Sequence, residues 1–437
     1  MAGFNLKRSP LPQPPPTILW TVLIAILIAS ALVRLSWVMH VGLGAPPISD
    51  AFHYHHLALS LAEGGGYEVL GNPIYHRPPG YVLLLTPFYA FAPYVETGQF
   101  INIALGVVTV FLTYLLGRRC FGTLVGLISA GICAIYPLLI GFSSFILSEN
   151  LVVPLCLLLI LLLLALFSSE RKRALVYSIS AGFILALAIL TRPMMLSAFL
   201  FLPISLLLAG KGIKQSIFYY LVIAIVATAC LIPWTLYNHH RTGRFIPIIT
   251  VSGSFFAICN NPKVLEKDNS YKQYDYNFPE EMVSDEQKAE LKNSPPWIAD
   301  KILRQATFNY LSEHPHLIPR LLWKKIVHLF DPWSENSPIL FRLVYLLSFA
   351  PIMLLALWGL VVWTLRGPRK YLLILSVILP TIVSNLIYYS SARFRLPMEP
   401  LIIILAALGI SIILSLLQKR RNYPNLHHSH LKYPQDG

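Results

Sequence analysis

The chain has 437 residues, of which 56% are hydrophobic and only 12% charged, with a mean hydropathy of +0.62. That composition excludes an ordinary soluble domain and implies a polytopic membrane protein. The formal net charge of +14 is then read as basic loops beside anionic lipid headgroups, with no nucleic-acid partner.

The N-terminus is basic at Lys7-Arg8, then proline-rich, and leads into an apolar run over 17–40. This run is longer than a signal-peptide core and lacks a clear small-residue cleavage site, so it reads as a retained first membrane helix. A polar segment, 46–81, follows. It holds Asp50, His53, His55, His56, a Gly-Gly-Gly turn and the run His76-Arg77-Pro78-Pro79-Gly80-Tyr81. The stretch 81–95 is short and broken by Pro87 and Pro93, so it is expected at the interface rather than across the bilayer.

Further apolar runs fall near 98–116, 121–141, 149–167, 174–191, 194–210, 216–234, 340–364, 371–389 and 397–417. With the first run they predict an all-α polytopic fold of about ten spans, thirteen at most. Between the last two groups lies 235–339, the one sizeable polar region. Its first part, 243–278, reads as irregular chain or short strands. Ser284 then opens a helix, a second follows over 297–313, and 317–330 is amphipathic, expected to lie along the membrane surface. The region is a small mixed loop domain, placed as a lid over a membrane-embedded cavity.

Placing Lys7-Arg8 inside puts Arg118-Arg119, Arg171-Lys172-Arg173, Lys211 with Lys214, Arg369-Lys370 and Lys419-Arg420-Arg421 inside too, as the positive-inside rule demands. The implied organisation is a cytoplasmic tail (1–16), an N-terminal transmembrane catalytic region (17–234) with an outer loop at 40–97, the outer-face, periplasmic loop domain (235–339), C-terminal transmembrane helices (340–417) and a second cytoplasmic tail (418–437). With no Asn-x-Ser/Thr sequon in the chain, a bacterial inner membrane is the expected location.

Charge alternation leaves exceptions. Arg77, Arg192, Arg393 and Arg395 lie on outer connections, near the ends of apolar runs. Each alone is explained by snorkelling to headgroups. Together, beside two acidic positions, they suggest a site for an anionic group, because the planar guanidinium fork suits phosphate. Asp50 alone favours an N-cap reading, and a partly desolvated carboxylate there is also a candidate general base. Tyr54 and His53 share its helix face. Glu149 either complements a helix dipole or, at the edge of so apolar a run, is functional. His53 and His76 are candidate ligands for a divalent metal, although their spacing matches no strong zinc pattern.

With these residues placed, the chain resembles the GT-C membrane glycosyltransferases, in particular the group of lipid A aminoarabinose transferases, protein O-mannosyltransferases and lipopolysaccharide-core sugar transferases. The resemblance is carried by PPISDAFHYHHLALSLAEGGGY, YHRPPGY, LSEN, LTRP, PWTLYNHHRTGRFIP and ARFRLPMEP. It implies Asp50 as catalytic base or its organiser, with Glu149 as the second outer carboxylate. Arg77, helped by Arg393, would hold the donor phosphate, with Arg192 and Arg395 beside them. Tyr54, His53, His76 and Tyr81 would line the substrate. Two departures stand out: the first acidic pair is Asp50-Ala51 where many relatives have Asp-Glu, and His76 stands where aminoarabinose transferases have an acidic residue.

The activity so implied is transfer of a sugar, hexose or pentose, from a polyprenyl-phosphate donor to a lipid, glycan or protein acceptor at the outer face, with inversion. The alternatives are a transporter or flippase of lipid-linked sugars, and an O-antigen ligase or polymerase. The first expects internal repeats, which are not evident here. The second has no need of an Asp50 and HRPPGY pairing.

Overall fold

The computed structural model describes residues 15–266, 282–331, 339–366, 369–388 and 390–422. Among them the chain is almost wholly helical, and seven helices are long and apolar enough to cross a membrane, or eight if one bent pair counts as a span. They include α1 (Pro16–Gly42), α4 (Val95–Phe121), α7 (Glu149–Phe167), α8 (Arg171–Thr191), α10 (Ile213–Thr242), α16 (Ile339–Arg366) and α18 (Glu399–Asn422). Helix α5 (Thr123–Ile135) continues into α6 (Pro137–Gly141) through a bend of 51°.

That bend has a sequence cause. Pro137 has no N–H for the carbonyl of Cys133, four residues earlier. The buried Arg34 of α1 donates instead, to Cys133 O at 3.4 Å and Ala134 O at 3.0 Å. A cation at that helix end also complements the dipole.

The expected runs at 194–210 and 371–389 fold as shorter apolar helices, Pro193–Leu208 and Tyr371–Ile387. Each opens with a 3₁₀ turn, and α9 (Ala198–Leu208) and α17 (Leu375–Ile387) each contain a proline, Pro203 and Pro380. At about 1.5 Å per residue neither regular helix reaches across a hydrocarbon core of about 30 Å. Gly80–Tyr89, α3, is a third short apolar helix, where the sequence placed a non-spanning segment.

Small residues let the long helices close up. A Cβ on Gly409 of α18 would stand 2.5 Å from Leu355 O of α16, and one on Gly359 would meet Leu405 O. The main buried cluster runs through α4, α5, α7, α8 and α18. A second one, around Tyr54, Leu57, Tyr81 and Leu85, joins α2 (Asp50–Ala62) to α3. Between these two helices lies the only sheet among the described residues, β1 (Glu68–Val69) paired antiparallel with β2 (Asn72–Pro73).

In the 235–339 region, the described part of 243–278 forms α11 (Ser252–Cys259) and α12 (Lys263–Glu266), not strands. Gly253 allows α11 to press on α14 (Pro296–Glu313): a Cβ there would crowd the Asp300 backbone. Ala257 packs with Leu303 in a small core of its own. The remainder, 267–278, is outside the described residues. Ser284 caps α13 (Asp285–Asn293) through a capping box with Gln287, and α15 (Leu317–Phe330) occupies the amphipathic stretch read from the sequence.

Candidate active site

Three chain segments, at Glu149, Arg192 and Arg393, meet beside the first polar loop. Ser49 has φ +55°, a conformation that non-glycine residues seldom adopt, and it makes no side-chain cap bond. The turn delivers Asp50 as the first residue of α2, so the N-cap reading of Asp50 is not what the fold uses. Its carboxylate is spent on tertiary partners: Oδ1 accepts from Arg77 Nη2 at 2.5 Å, and Oδ2 from Arg393 Nη2 at 2.8 Å.

Arg77 is held from behind. Tyr67, buried at the foot of β1, donates its hydroxyl to Arg77 O and Pro78 O, each at 3.1 Å. Gly80 lets α3 start against the end of α8, since a Cβ there would lie 2.8 Å from Thr191 N. The His-Arg-Pro-Pro-Gly run is thereby set next to Arg192. Arg77 also donates through Nε to His53 Nδ1 at 3.3 Å, so one turn of α2 presents Asp50 and His53 to the same guanidinium.

Glu149, 1% exposed at the N-terminus of α7, is the second carboxylate. Oε1 accepts from Arg192 Nη1 at 2.7 Å and from Arg393 Nε, while Ser148 Oγ donates to Oε2 at 3.3 Å. Arg393 therefore bridges Asp50 and Glu149, through Nη2 to one and Nε to the other. Arg192 stacks on Phe394, 4.5 Å from the ring centre, with Arg393 5.5 Å from the same ring.

Three guanidiniums thus surround two carboxylates. With all ionised, the group has an uncompensated positive charge, which favours an anionic ligand. Burial pushes the Asp50 carboxyl up, but Arg393 and Arg77 outweigh it and hold the group below its ordinary value. The neighbouring histidines stay neutral. Burial and then Arg77 depress His53, and the same two causes bring His76 down to about 4.

Several sequence-derived assignments land elsewhere. Arg395 is not in this constellation. It is 1% exposed, pairs with Glu399 at 2.6 Å, donates to Leu329 O at 2.6 Å and stacks on Phe349 at 4.1 Å. The cause is the 3₁₀ turn over Ala392–Met398, where residues two apart point about 240° apart. Tyr81 is wholly buried and donates to Asn102 Oδ1 at 2.6 Å, its ring edge-on to Tyr54 at 5.5 Å. Tyr54, also buried, donates to Ser148 Oγ at 3.2 Å. Both tyrosines are buried behind the polar cluster, with the Arg77 guanidinium 5.9 Å over the Tyr54 ring. His53 and His76 lie edge to face, 5.0 Å apart.

These donors do not fit a metal site of the expected kind. His53 Nδ1 faces Arg77 and both Asp50 oxygens are committed to arginines, so a divalent cation would meet guanidiniums at once. Among the described residues no cluster of three His, Cys, Asp or Glu is placed to hold one. Tyr67 and Ser148, by contrast, are positioning residues the sequence did not flag. Their only signals are that one follows the glycine run and the other precedes Glu149.

Residues 76–237 match the family model described as dolichyl-phosphate-mannose-protein mannosyltransferase, which takes in Arg77, Glu149 and Arg192 but not Asp50 or Arg393. No curated protein sequence matches significantly. Among solved structures, the oligosaccharyltransferase AglB of Archaeoglobus fulgidus, in complex with an inhibitory peptide and a dolichol-phosphate, superposes with a TM-score of 0.54 at 13% identity, covering 94% of this chain and 52% of that one. The apo form of the Archaeoglobus fulgidus enzyme gives 0.54 at 15% identity, with 94% and 53% covered. The apo form of ArnT from Cupriavidus metallidurans is a looser likeness, TM-score 0.46 at 13% identity, with 92% and 79% covered. The chain spans about half the length of the oligosaccharyltransferase. The chain therefore shares the fold of these solved structures over nearly all of its length, and its residues 76–237 resemble the mannosyltransferase family model.

Proposed function

We propose that the protein transfers a sugar from a polyprenyl-phosphate donor to a hydroxyl of a lipid, glycan or protein acceptor at the outer face of the membrane, with inversion at the anomeric carbon. The observation that carries this reading is the double bridge of Arg393 between Asp50 and Glu149, with Arg77 on the far side of Asp50. A phosphate monoester or diester meets there an excess of positive charge on planar donors suited to its oxygens. The dolichol-phosphate in the oligosaccharyltransferase neighbour and the dolichyl-phosphate-mannose of the family description support a polyprenyl-phosphate class of donor.

In this mechanism the donor phosphate competes with Asp50 for Arg77 and Arg393. As those guanidiniums turn to phosphate, Asp50 loses the charges that suppress its basicity, while its burial remains. The base is thus activated by donor binding. The acceptor oxygen attacks the anomeric carbon and Asp50 takes the hydroxyl proton. The bond from that carbon to the phosphate oxygen breaks, and polyprenyl phosphate leaves with the electron pair. Arg77 and Arg393 face the charge that grows on it, the kind of preorganised stabilisation that dominates many transfer reactions. Glu149, held by Arg192, keeps Arg393 in place between turnovers. The outer-face orientation rests on the alternation of basic loops.

The test is Asp50→Asn in purified, lipid-reconstituted protein supplied with radiolabelled polyprenyl-phosphate sugars and an envelope glycan or lipid extract. Transfer should be lost while the donor still binds. Turnover within about tenfold of wild type would remove Asp50 from the role of base.

A further inference from the structure

The apolar stripe of α15 contains an anomaly. Leu321, Lys325 and Leu329 are its buried residues, so a lysine occupies the central inward position of an amphipathic helix. Lys325 is 2% exposed, and its ammonium donates to Asn260 Oδ1 at 2.7 Å, Leu386 O at 2.9 Å and Ile387 O at 3.1 Å. The two carbonyls close α17, where helix ends leave acceptors without intrahelical partners and where a cation suits the dipole. Asn260, from the end of α11, donates back to Ile387 O at 2.9 Å.

The bracket continues along the chain. Ser390 Oγ donates to Lys325 O at 2.6 Å, and Arg395 reaches Leu329 O one turn further along α15. So α15 grips the α17–α18 connection before and after Arg393, at residues 386–387, 390 and 395. Arg393 itself projects from the gripped segment to Asp50 and Glu149.

We infer that Lys325 is a positioning residue for Arg393, through which the α15 surface helix and the outer loop set the geometry of the phosphate-binding arginine. The link to phosphate rests on the reading of Arg393 given above, whereas the link from Lys325 to the Arg393 segment does not. If α15 shifts on the membrane surface, its grip on residues 386–395 must shift with it.

The experiment compares wild type, Lys325→Met and Lys325→Arg as full-length chains in lipid nanodiscs. Amide hydrogen exchange in peptides covering 390–398 should speed up by about tenfold in Lys325→Met, with peptides of 50–62 unchanged, and Lys325→Arg should restore much of the protection. Undecaprenyl phosphate is the binding probe. Its affinity should fall about tenfold in Lys325→Met, with no further fall when Lys325→Met is added to Arg393→Met, because residues acting as one unit are not additive. Unchanged exchange at 390–398, an equal rise in 50–62, or additive losses of affinity would each overturn the inference. If Lys325→Met does not fold, Lys325→Gln, which keeps a polar tip without the charge, takes its place. If wild type fails to bind undecaprenyl phosphate, the phosphate reading fails, and hydrogen exchange alone decides the role of Lys325.

Discussion

Replacing Arg393 by methionine removes the group that holds the two carboxylates together. Asp50 keeps Arg77 and is 24% exposed, so it can draw on solvent. Glu149, 1% exposed, keeps Arg192 and the Ser148 hydroxyl but loses one of its two guanidiniums. Stripping a buried carboxylate of its last partner costs about 3–5 kcal/mol, so losing one of two should cost about 1–3 kcal/mol of stability. The effect on a phosphate ligand is more specific. A charge-assisted hydrogen bond contributes about 1.5–3 kcal/mol, which corresponds to about 10- to 100-fold in affinity for undecaprenyl phosphate. The assay is titration of the reconstituted protein with that lipid, paired with thermal unfolding to separate binding from folding. Arg77→Met should weaken binding to a similar degree. Arg192→Met should weaken it less, since Arg192 contacts Glu149 and the Phe394 ring but not Asp50. Wild-type affinity in a folded Arg393→Met protein would refute the assignment of the bridge to phosphate.

Tyr67→Phe removes two hydrogen bonds to the Arg77 and Pro78 carbonyls, and thermal unfolding should show a loss of about 1–2 kcal/mol. Arg395→Met leaves Glu399, which is 0% exposed, with the Tyr136 hydroxyl, so a loss of about 3–5 kcal/mol is expected, read by unfolding in detergent. The Asp50 carboxyl is held below its ordinary value of 3.8, so its contribution to stability is complete above that pH and is lost as pH falls through the lower folded value. In Arg393→Met the folded value moves back toward the ordinary one, so that loss should be smaller and finish at higher pH, and an acid unfolding series that superposes on wild type would contradict it. Burial pushes Lys325 from 10.5 to about 8, with Cys259 the other titratable group beside it and itself raised to about 12 by burial. Between those two lysine values the unfolded chain binds the extra proton, so wild type should gain stability relative to Lys325→Met as pH rises from 8 to 10.5. A constant difference in melting temperature across that range would count against it.

Composition and local pattern alone determined the class of this protein. Apolar runs separated by basic loops cannot be satisfied except as membrane helices, because a bilayer leaves no partner for free backbone groups. The same local rules located α13 from Ser284 and its capping box, and α15 from its amphipathic period, since both depend on residues within a few positions of each other. They also singled out Asp50, Arg77, Glu149, Arg192 and Arg393 as polar exceptions in apolar surroundings. Which of those side chains meet was not a local matter. Arg393 reaches two carboxylates more than two hundred residues away in the chain, whereas Arg395, two positions along the same 3₁₀ turn, points into a different core. Two of the expected apolar runs fold as shorter helices for the same reason: hydropathy records apolar length, but Pro203, Pro380 and 3₁₀ openings decide how much of it becomes regular helix. Nothing in the amphipathic stretch marks Lys325 in the sequence. Only the packing of α15 against the end of α17 turned it inward, because three oxygen acceptors there could replace the water it lost.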